Sequence, residues 1–280
     1  MIDAYNHLTT KKTIESMRKE FRDFLGAEIL KLSDVSVDEA KDRWIEVLEE
    51  YKIEKVLFLA TTQEDKSFDE FVASSDRFEG ISCLNYLDDE SLEILKRDIE
   101  QKGYKGLTLY PVWDNFSVDD ERLNSIYEYC NERELPVIIH FGVSALPGDI
   151  RYGNPIDLGR VVKKFPKIKW VIAHFGAGYF KESLMMAYSN DNIYFDSSGT
   201  NGWIKYSSDA DDLRYVFEKS IGAIGVDRII WGSDSHKIFV EGQEYNSERI
   251  SDQKDIVMDL AGEEGVRKIF SENAKKVFGF

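Results

Sequence analysis

Between its first residue and its last, the chain alternates short runs of Val, Ile, Leu, Phe and Tyr with charged, amphipathic stretches. Several of the runs are apolar throughout rather than at every second position: Val56-Leu57-Phe58-Leu59-Ala60, Val137-Ile138-Ile139 and Trp170-Val171-Ile172-Ala173. A strand that is apolar on both faces has to be covered on both, and that is the situation of a parallel sheet wrapped by helices. Eight runs qualify: Met1 to Tyr5, Lys55 to Ala60, Gly80 to Tyr86, Lys105 to Tyr110, Pro136 to Phe141, Lys169 to His174, Asn192 to Ser197 and Arg228 to Ser233. No Pro/Gly/Ser linker and no shift in composition divides them. The economical reading is an α/β chain of 280 residues folded as one distorted (β/α)8 TIM barrel, long enough to bury its own core.

Helix signals fall between the strands. Ser36 with Glu39 has the spacing of a capping box ahead of a long amphipathic stretch, and Ser117 with Asp120 repeats it. Asn154-Pro155 places a favoured N-cap before a favoured first helical residue, with Leu158, Val161 and Val162 following at helical spacing, while Gly103 closes the stretch that begins near Asp89. Residues 9–35 interrupt the rhythm between the first strand and the Ser36 helix. With Arg18, Lys19, Phe21, Arg22 and Phe24, they read as a helical insertion over the barrel mouth, a candidate lid; the plainer alternative is a helix packed on the outside.

The charge balance narrows the function. Thirty-six Lys and Arg stand against 52 Asp and Glu, a formal net charge of −16, with no basic run for a polyanion to follow. Nucleic acid and anionic membrane surfaces are therefore not expected partners; a small molecule is. Cys83 and Cys130 lie inside apolar segments at no metal-motif spacing, and read as buried free thiols. The first residues have neither a basic region nor a long apolar one, and no run reaches the ~20 residues that span a bilayer, so a cytoplasmic protein is expected.

In a parallel barrel the chemistry lies at the C-terminal ends of the strands. Those ends carry His7, Tyr110, His140, His174, Asp196 and Asp234, which include three of the four histidines of the chain. Imidazoles and a carboxylate converging on one concave mouth point to an enzyme site. His140 and His174 each end a buried apolar strand, where an imidazole needs a polar partner or a ligand to offset its desolvation. Asp234 stands where a cation or a proton acceptor belongs. Asp196 has the equally good alternative of bonding Ser197 and Ser198, and His236 reads as a rim residue.

This pattern resembles the amidohydrolase superfamily, and within it the amidohydrolase-2 branch of aminocarboxymuconate-semialdehyde-type decarboxylases and lactonases. The segments that carry the resemblance run in order along nearly the whole chain: Ile2 to His7, Gly106 to Pro111, Pro136 to His140, Asn154-Pro155, Phe165-Pro166-Lys167, Ile172 to Gly176, Gly232-Ser233-Asp234 and Ile269 to Ala274. The resemblance implies a single divalent metal ion, zinc first, with His7, His140 and Asp234 at ligand positions and His174 at the position that acts on substrate. It also implies a homodimer by family habit. The departure is Tyr5-Asn6-His7 in place of His-x-His. A phenol loses its proton near pH 10, so Tyr5 is a poorer ligand than an imidazole and metal affinity is expected to be weakened. Thr108 stands where a lysine is frequent, which argues against a dinuclear centre built on a carbamylated lysine.

Three functions follow from these residues. The first is metal-dependent hydrolysis of a small lactone, ester or amide, with Asp234 as base, His174 on the carbonyl oxygen, and Tyr110 and Arg151 positioning substrate. The second is nonoxidative decarboxylation of an aromatic or unsaturated acid on the same residues. In the third, loss of the first histidine leaves a metal-free lactonase or a noncatalytic binding protein.

Overall fold

The computed structural model describes residues 1–29, 31–85, 87, 89–144, 146–208, 210–236, 238–239 and 244–280, without side chains at 27–29. Eight strands run in sequence order through one sheet: β1 Ile2–Asn6, β2 Lys55–Leu59, β3 Phe78–Cys83, β4 Leu107–Leu109, β5 Pro136–Ile139, β6 Lys169–Ile172, β7 Ile193–Asp196 and β8 Ile229–Ile230. Every neighbouring pair is parallel. The eight expected strands are all present, most of them ending sooner than expected while β1 runs on to Asn6 and β3 starts already at Phe78, and the fold is a single-domain, nearly closed TIM barrel. Tyr86, expected to end the third strand, lies outside the described residues.

Period-two alternation sorts the strand side chains into two layers. Ile2, Ala4, Leu57, Leu59, Ile81, Ile138, Val171, Ala173, Tyr194 and Ile230 fill the interior, and Ala274, Val277 and Phe278 of the helix Asn273–Phe278 pack against them. Val137, Ile139, Trp170, Ile172, Phe195 and Trp231 face outward onto the helices in a second cluster. Runs apolar at every position are what this double burial requires.

The seam between the first and last strands is closed by single hydrogen bonds rather than by a ladder. The Ala4 N–H donates to the Trp231 carbonyl at 3.2 Å, and the Asp234 N–H to the Tyr5 carbonyl at 2.9 Å. β8 is short because its chain turns across this seam. Its carbonyl at Ile229 accepts 2.7 Å from the buried Asn273 Nδ2, which also reaches the Val226 carbonyl at 2.7 Å.

The Ser36–Glu39 capping box heads the helix Val37–Glu50, and the Asn154 side chain caps the turn that opens at Pro155. Ser117 does not repeat the box: its hydroxyl turns to Asp119, and Asp120 caps the short turn Glu121–Leu123 before the helix Asn124–Glu132. Two acids in the next three residues compete for the one hydroxyl. Cys83 and Cys130 are buried free thiols. Among the described residues no helix is long and apolar enough to cross a membrane.

Residues 9–35 form the helices Lys11–Ser16 and Lys19–Ile29, laid on loops that follow strand C-termini. Ser16 donates to Asp65 after β2 at 2.8 Å, and Arg18 reaches Asp114 after β4 at 3.3 Å and the Trp113 carbonyl. Ser33 N–H donates to the Phe239 carbonyl beyond β8 at 2.9 Å. Phe21 packs edge-on against Trp113, 6.0 Å between ring centres.

Asn273→Ala removes the donor that two carbonyls share at the shortest strand, each costing roughly 1–3 kcal/mol when left unsatisfied. Urea unfolding is expected to show a loss of about 2–4 kcal/mol; a loss below about 0.5 kcal/mol would mean that β8 is held by other contacts.

Candidate active site

β1 carries Tyr5 and His7 to the barrel mouth through a register irregularity between Asp3 and Asn6. Their rings meet edge to face, 5.4 Å between centres. The His7 Nδ1 donates to the Leu59 carbonyl at 3.0 Å. A carbonyl only accepts, so the proton sits on Nδ1 and the Nε2 lone pair is left for another partner, the arrangement that orients histidine ligands in metal sites. Tyr5 is 1% exposed, and its hydroxyl has no hydrogen-bond partner among the described residues.

His140 ends β5, its ring 4.9 Å from that of His174 and 5.7 Å from that of Trp113. Its Nδ1 is buried without a partner among the described residues. Burial lowers the His7 pKa to about 4 and the His140 pKa to about 3, so both imidazoles are neutral at physiological pH.

His174 follows β6 in a turn whose residues His174, Phe175 and Ala177 all have positive φ, at 52°, 53° and 43°. Backbone of this kind costs on the order of 1–3 kcal/mol per residue and persists where the surroundings over-determine it. Here the His174 Nδ1 lies 3.0 Å from both the Ser198 carbonyl and the Ser198 hydroxyl, with Asp196 behind at 3.7 Å. Gly199, φ +84°, makes room for it, since a Cβ there would stand 2.8 Å from that nitrogen. Burial raises the Asp196 pKa to about 6 against the pull of His174 and Ser198.

Asp234 also has a positive φ, 52°, in the turn after β8. That turn is bolted to β1: Ser233 N–H donates to Asp3 at 2.7 Å, and Ser233 Oγ and Ser235 N–H both donate to the Asn6 side-chain oxygen at 2.9 Å. Tyr245 completes the Asp3 shell at 2.6 Å, and Asn246 and Arg249 donate to the carbonyls of Ser233 and Asp234. Burial works to raise the Asp234 pKa, but His236, His174 and His7 outweigh it and hold the carboxyl well below the usual carboxylate range. The Arg249 guanidinium adds positive charge 4.0 Å from Asp234 Oδ2.

Tyr110 lies flat against Trp113, ring centres 4.2 Å apart, and its hydroxyl donates to the Ala60 carbonyl at 3.1 Å. The two rings form a wall beside His7 and His140. The structure thus gathers His7, Tyr110, His140, His174 and Asp234 at one mouth. Arg151 is not drawn in: its side chain is 80% exposed and paired with Asp149. His236 stands at the rim, its Nδ1 3.0 Å from the Asp234 carbonyl. Sequence reasoning missed Trp113, Arg249, Asn246 and the bolt formed by Asp3 and Asn6. Only Asp3, an acid inside an apolar strand, left a signal.

The donor chemistry fits a divalent ion: two neutral imidazoles, one pre-oriented by a backbone carbonyl and one with a buried nitrogen lacking a partner, beside an ionised carboxylate. The donors are not drawn into a cage, for among the described residues no three His, Cys, Asp or Glu side chains group as a ligand set.

Comparison with known proteins gives the same outline. The amidohydrolase family model Amidohydro_2 matches residues 33–280. No curated protein matches the chain. Among solved structures, a probable 2-pyrone-4,6-dicarboxylic acid hydrolase from Acinetobacter baumannii, with citric acid bound, is similar at a TM-score of 0.72 and 16% identity, over 100% of this chain and 99% of that one. The 5-carboxyvanillate decarboxylase of Sphingomonas paucimobilis gives 0.68 and 15%, over 99% and 98%. An amidohydrolase from Burkholderia multivorans, with zinc bound, gives 0.71 and 11%, over 100% and 99%. At these identities the likeness is one of fold.

His7 and His140 are expected to stay neutral down to pH 5, with midpoints at about 4 and about 3 in ring-nitrogen NMR of the metal-free protein. Because both folded values lie below the unfolded one, protonation opposes folding, and stability drops as pH falls from about 6.5 toward 4. A midpoint between pH 6 and 7 for either ring would contradict the burial described.

Proposed function

Since the chain belongs to the amidohydrolase family, we propose that this amidohydrolase-type enzyme hydrolyses a small lactone, ester or amide at the mouth lined by His7, His140, His174 and Asp234. The observation that carries this reading is the ionised Asp234 carboxylate, fixed by the β1 bolt and set beside the neutral imidazoles of His7 and His140. The carboxylate is unprotonated at neutral pH and so can accept a proton, and as a weak base it suits a water that is already acidified.

His7, His140 and Asp234 are the residues that would hold a divalent ion, zinc first. When bound, such an ion supplies positive charge that polarises a carbonyl and acidifies water. The protein's own residues do the rest. Asp234 takes a proton from the attacking water and returns it to the leaving oxygen or nitrogen as the acyl bond breaks. His174 has its Nδ1 held at Ser198 with Asp196 behind it, so it presents Nε2 to the substrate carbonyl oxygen. Tyr110 and Trp113 offer a flat apolar face to the substrate. Arg151, turned toward Asp149, has no part in this mechanism. Residues 9–35 act as a lid in this reading, because Phe21 rests on the same Trp113 that faces His140.

A second reading is nonoxidative decarboxylation of an aromatic acid, favoured by the stacked Tyr110–Trp113 wall and by the fold shared with a decarboxylase. Products separate the two: acid released from lactones such as dihydrocoumarin or 2-pyrone-4,6-dicarboxylate against CO2 released from carboxylated phenols such as 5-carboxyvanillate. Hydrolysis is expected, and Asp234→Asn is expected to lower kcat by on the order of 10³ or more while the far-UV spectrum is kept. CO2 release without lactone opening would replace the first reading by the second, and an Asn variant with full turnover would remove Asp234 from the chemistry.

A further inference from the structure

We propose that Tyr5 is a catalytic residue of this site: its phenolic hydroxyl donates a hydrogen bond to the substrate carbonyl oxygen and to the oxyanion formed there. The assignment rests on the hydrolytic reading and adds to it a group outside the acid, base and ligand roles already given.

The starting point is an unmet donor. Tyr104, Tyr110, Tyr127 and Tyr245 all place their hydroxyls on fixed protein acceptors: Asp69 at 2.6 Å, the Ala60 carbonyl at 3.1 Å, the Val118 carbonyl at 2.9 Å and Asp3 at 2.6 Å. Tyr5 is equally enclosed and has none among the described residues. A buried hydroxyl without a partner costs roughly 1–3 kcal/mol, a cost that a ligand oxygen removes on binding.

The position of the ring is fixed. Its centre lies 4.8 Å from that of His174 and 5.4 Å from that of His7, in T-shaped contacts, so it stands between two residues of the proposed site. Behind it Gly232 gives the room it needs, since a Cβ there would lie 2.7 Å from the Tyr5 Cβ. The Tyr5 carbonyl accepts the Asp234 N–H, which ties the phenol and the base to one stretch of backbone.

The neighbouring histidine supplies the need. With its Nδ1 held toward the Ser198 carbonyl, His174 can donate from Nε2 only when the ring carries a second proton. The Tyr5 hydroxyl is a donor beside it in either state. As water oxygen bonds to the carbonyl carbon, the carbonyl π pair moves onto oxygen and the water proton goes to Asp234. Tyr5 donates to that oxygen without giving up its proton, and the pair returns when the bond to the leaving group breaks and the leaving atom takes the proton from Asp234. Removing one donor of this kind costs about 10²–10³ in kcat.

The test compares wild type with Tyr5→Phe, which deletes only the unpartnered oxygen, in three measurements at equal protein concentration. These are kcat and KM on dihydrocoumarin, calorimetric affinity for phenylphosphonate as a tetrahedral oxyanion mimic, and zinc uptake in equilibrium dialysis. The variant is expected to lose about 100-fold in kcat with KM within about threefold, and to bind phenylphosphonate about tenfold more weakly. Its zinc uptake and unfolding midpoint are expected to match wild type. Unchanged kcat and unchanged phosphonate affinity overturn the proposal, as does zinc uptake that falls in step with activity, which would make Tyr5 a ligand. If wild type opens no lactone, the hydrolytic reading fails and the phosphonate arm decides for Tyr5. A tenfold difference there keeps its donor role, whereas equal affinity, or no binding by wild type, removes it.

Discussion

The bolt between β1 and the turn after β8 is the interaction on which the site depends. A parallel barrel has to join its last strand to its first, and here β8 is only Ile229–Ile230, too short to do so by a ladder. Side chains of β1 take over. Asp3 and Asn6, both fully buried, accept the amides of Ser233 and Ser235. The Tyr5 carbonyl between them accepts that of Asp234. The same hydrogen bonds that close the fold therefore set Asp234 in its left-handed conformation, facing the histidines. Placing a carboxylate as acidic as Asp3 in the interior is costly, and burial raises its pKa in spite of its donors. The cost is met by contacts that also build the mouth.

Much of this was legible in the sequence, for reasons that can be named. His140 and His174 each end an apolar run, and a polar residue there has few structural excuses. His7 and Asp234 stand out by the same logic at the first and last strands. What stayed hidden was residues whose partners are distant in sequence. Arg249 and Asn246 reach the turn from 12 to 16 residues further along the chain, and nothing local marks them. Trp113 reads as core filling until the helix Pro111–Asp114 turns it onto Tyr110. Arg151 was read as a substrate clamp from its charge alone, while Asp149, two residues earlier, holds it at the surface. From β2 to β8 the strand ends were read one to three residues too long because apolar character persists past the last ladder bond, as at Tyr110 and Trp231.

Tyr5 gives the site its character. Period-two spacing does put it on the same side of β1 as His7, as a His-x-His pair would be, but the group delivered is a hydroxyl donor instead of a nitrogen lone pair. The remaining donors, His7, His140 and Asp234, keep the chemistry that suits a divalent ion. They do so without a preassembled cage, and with His236 and Arg249 already near the carboxylate. Electrostatic preorganisation is thus shared between a metal-type donor set and the Arg249 guanidinium.

The account stands or falls on whether those three residues form one metal centre. The direct measurement is elemental analysis of the purified protein after zinc reconstitution and dialysis, wild type beside His140→Ala. About one zinc per chain in wild type, and close to none in the variant, is the predicted result. No zinc in wild type, or equal zinc in both proteins, would contradict it.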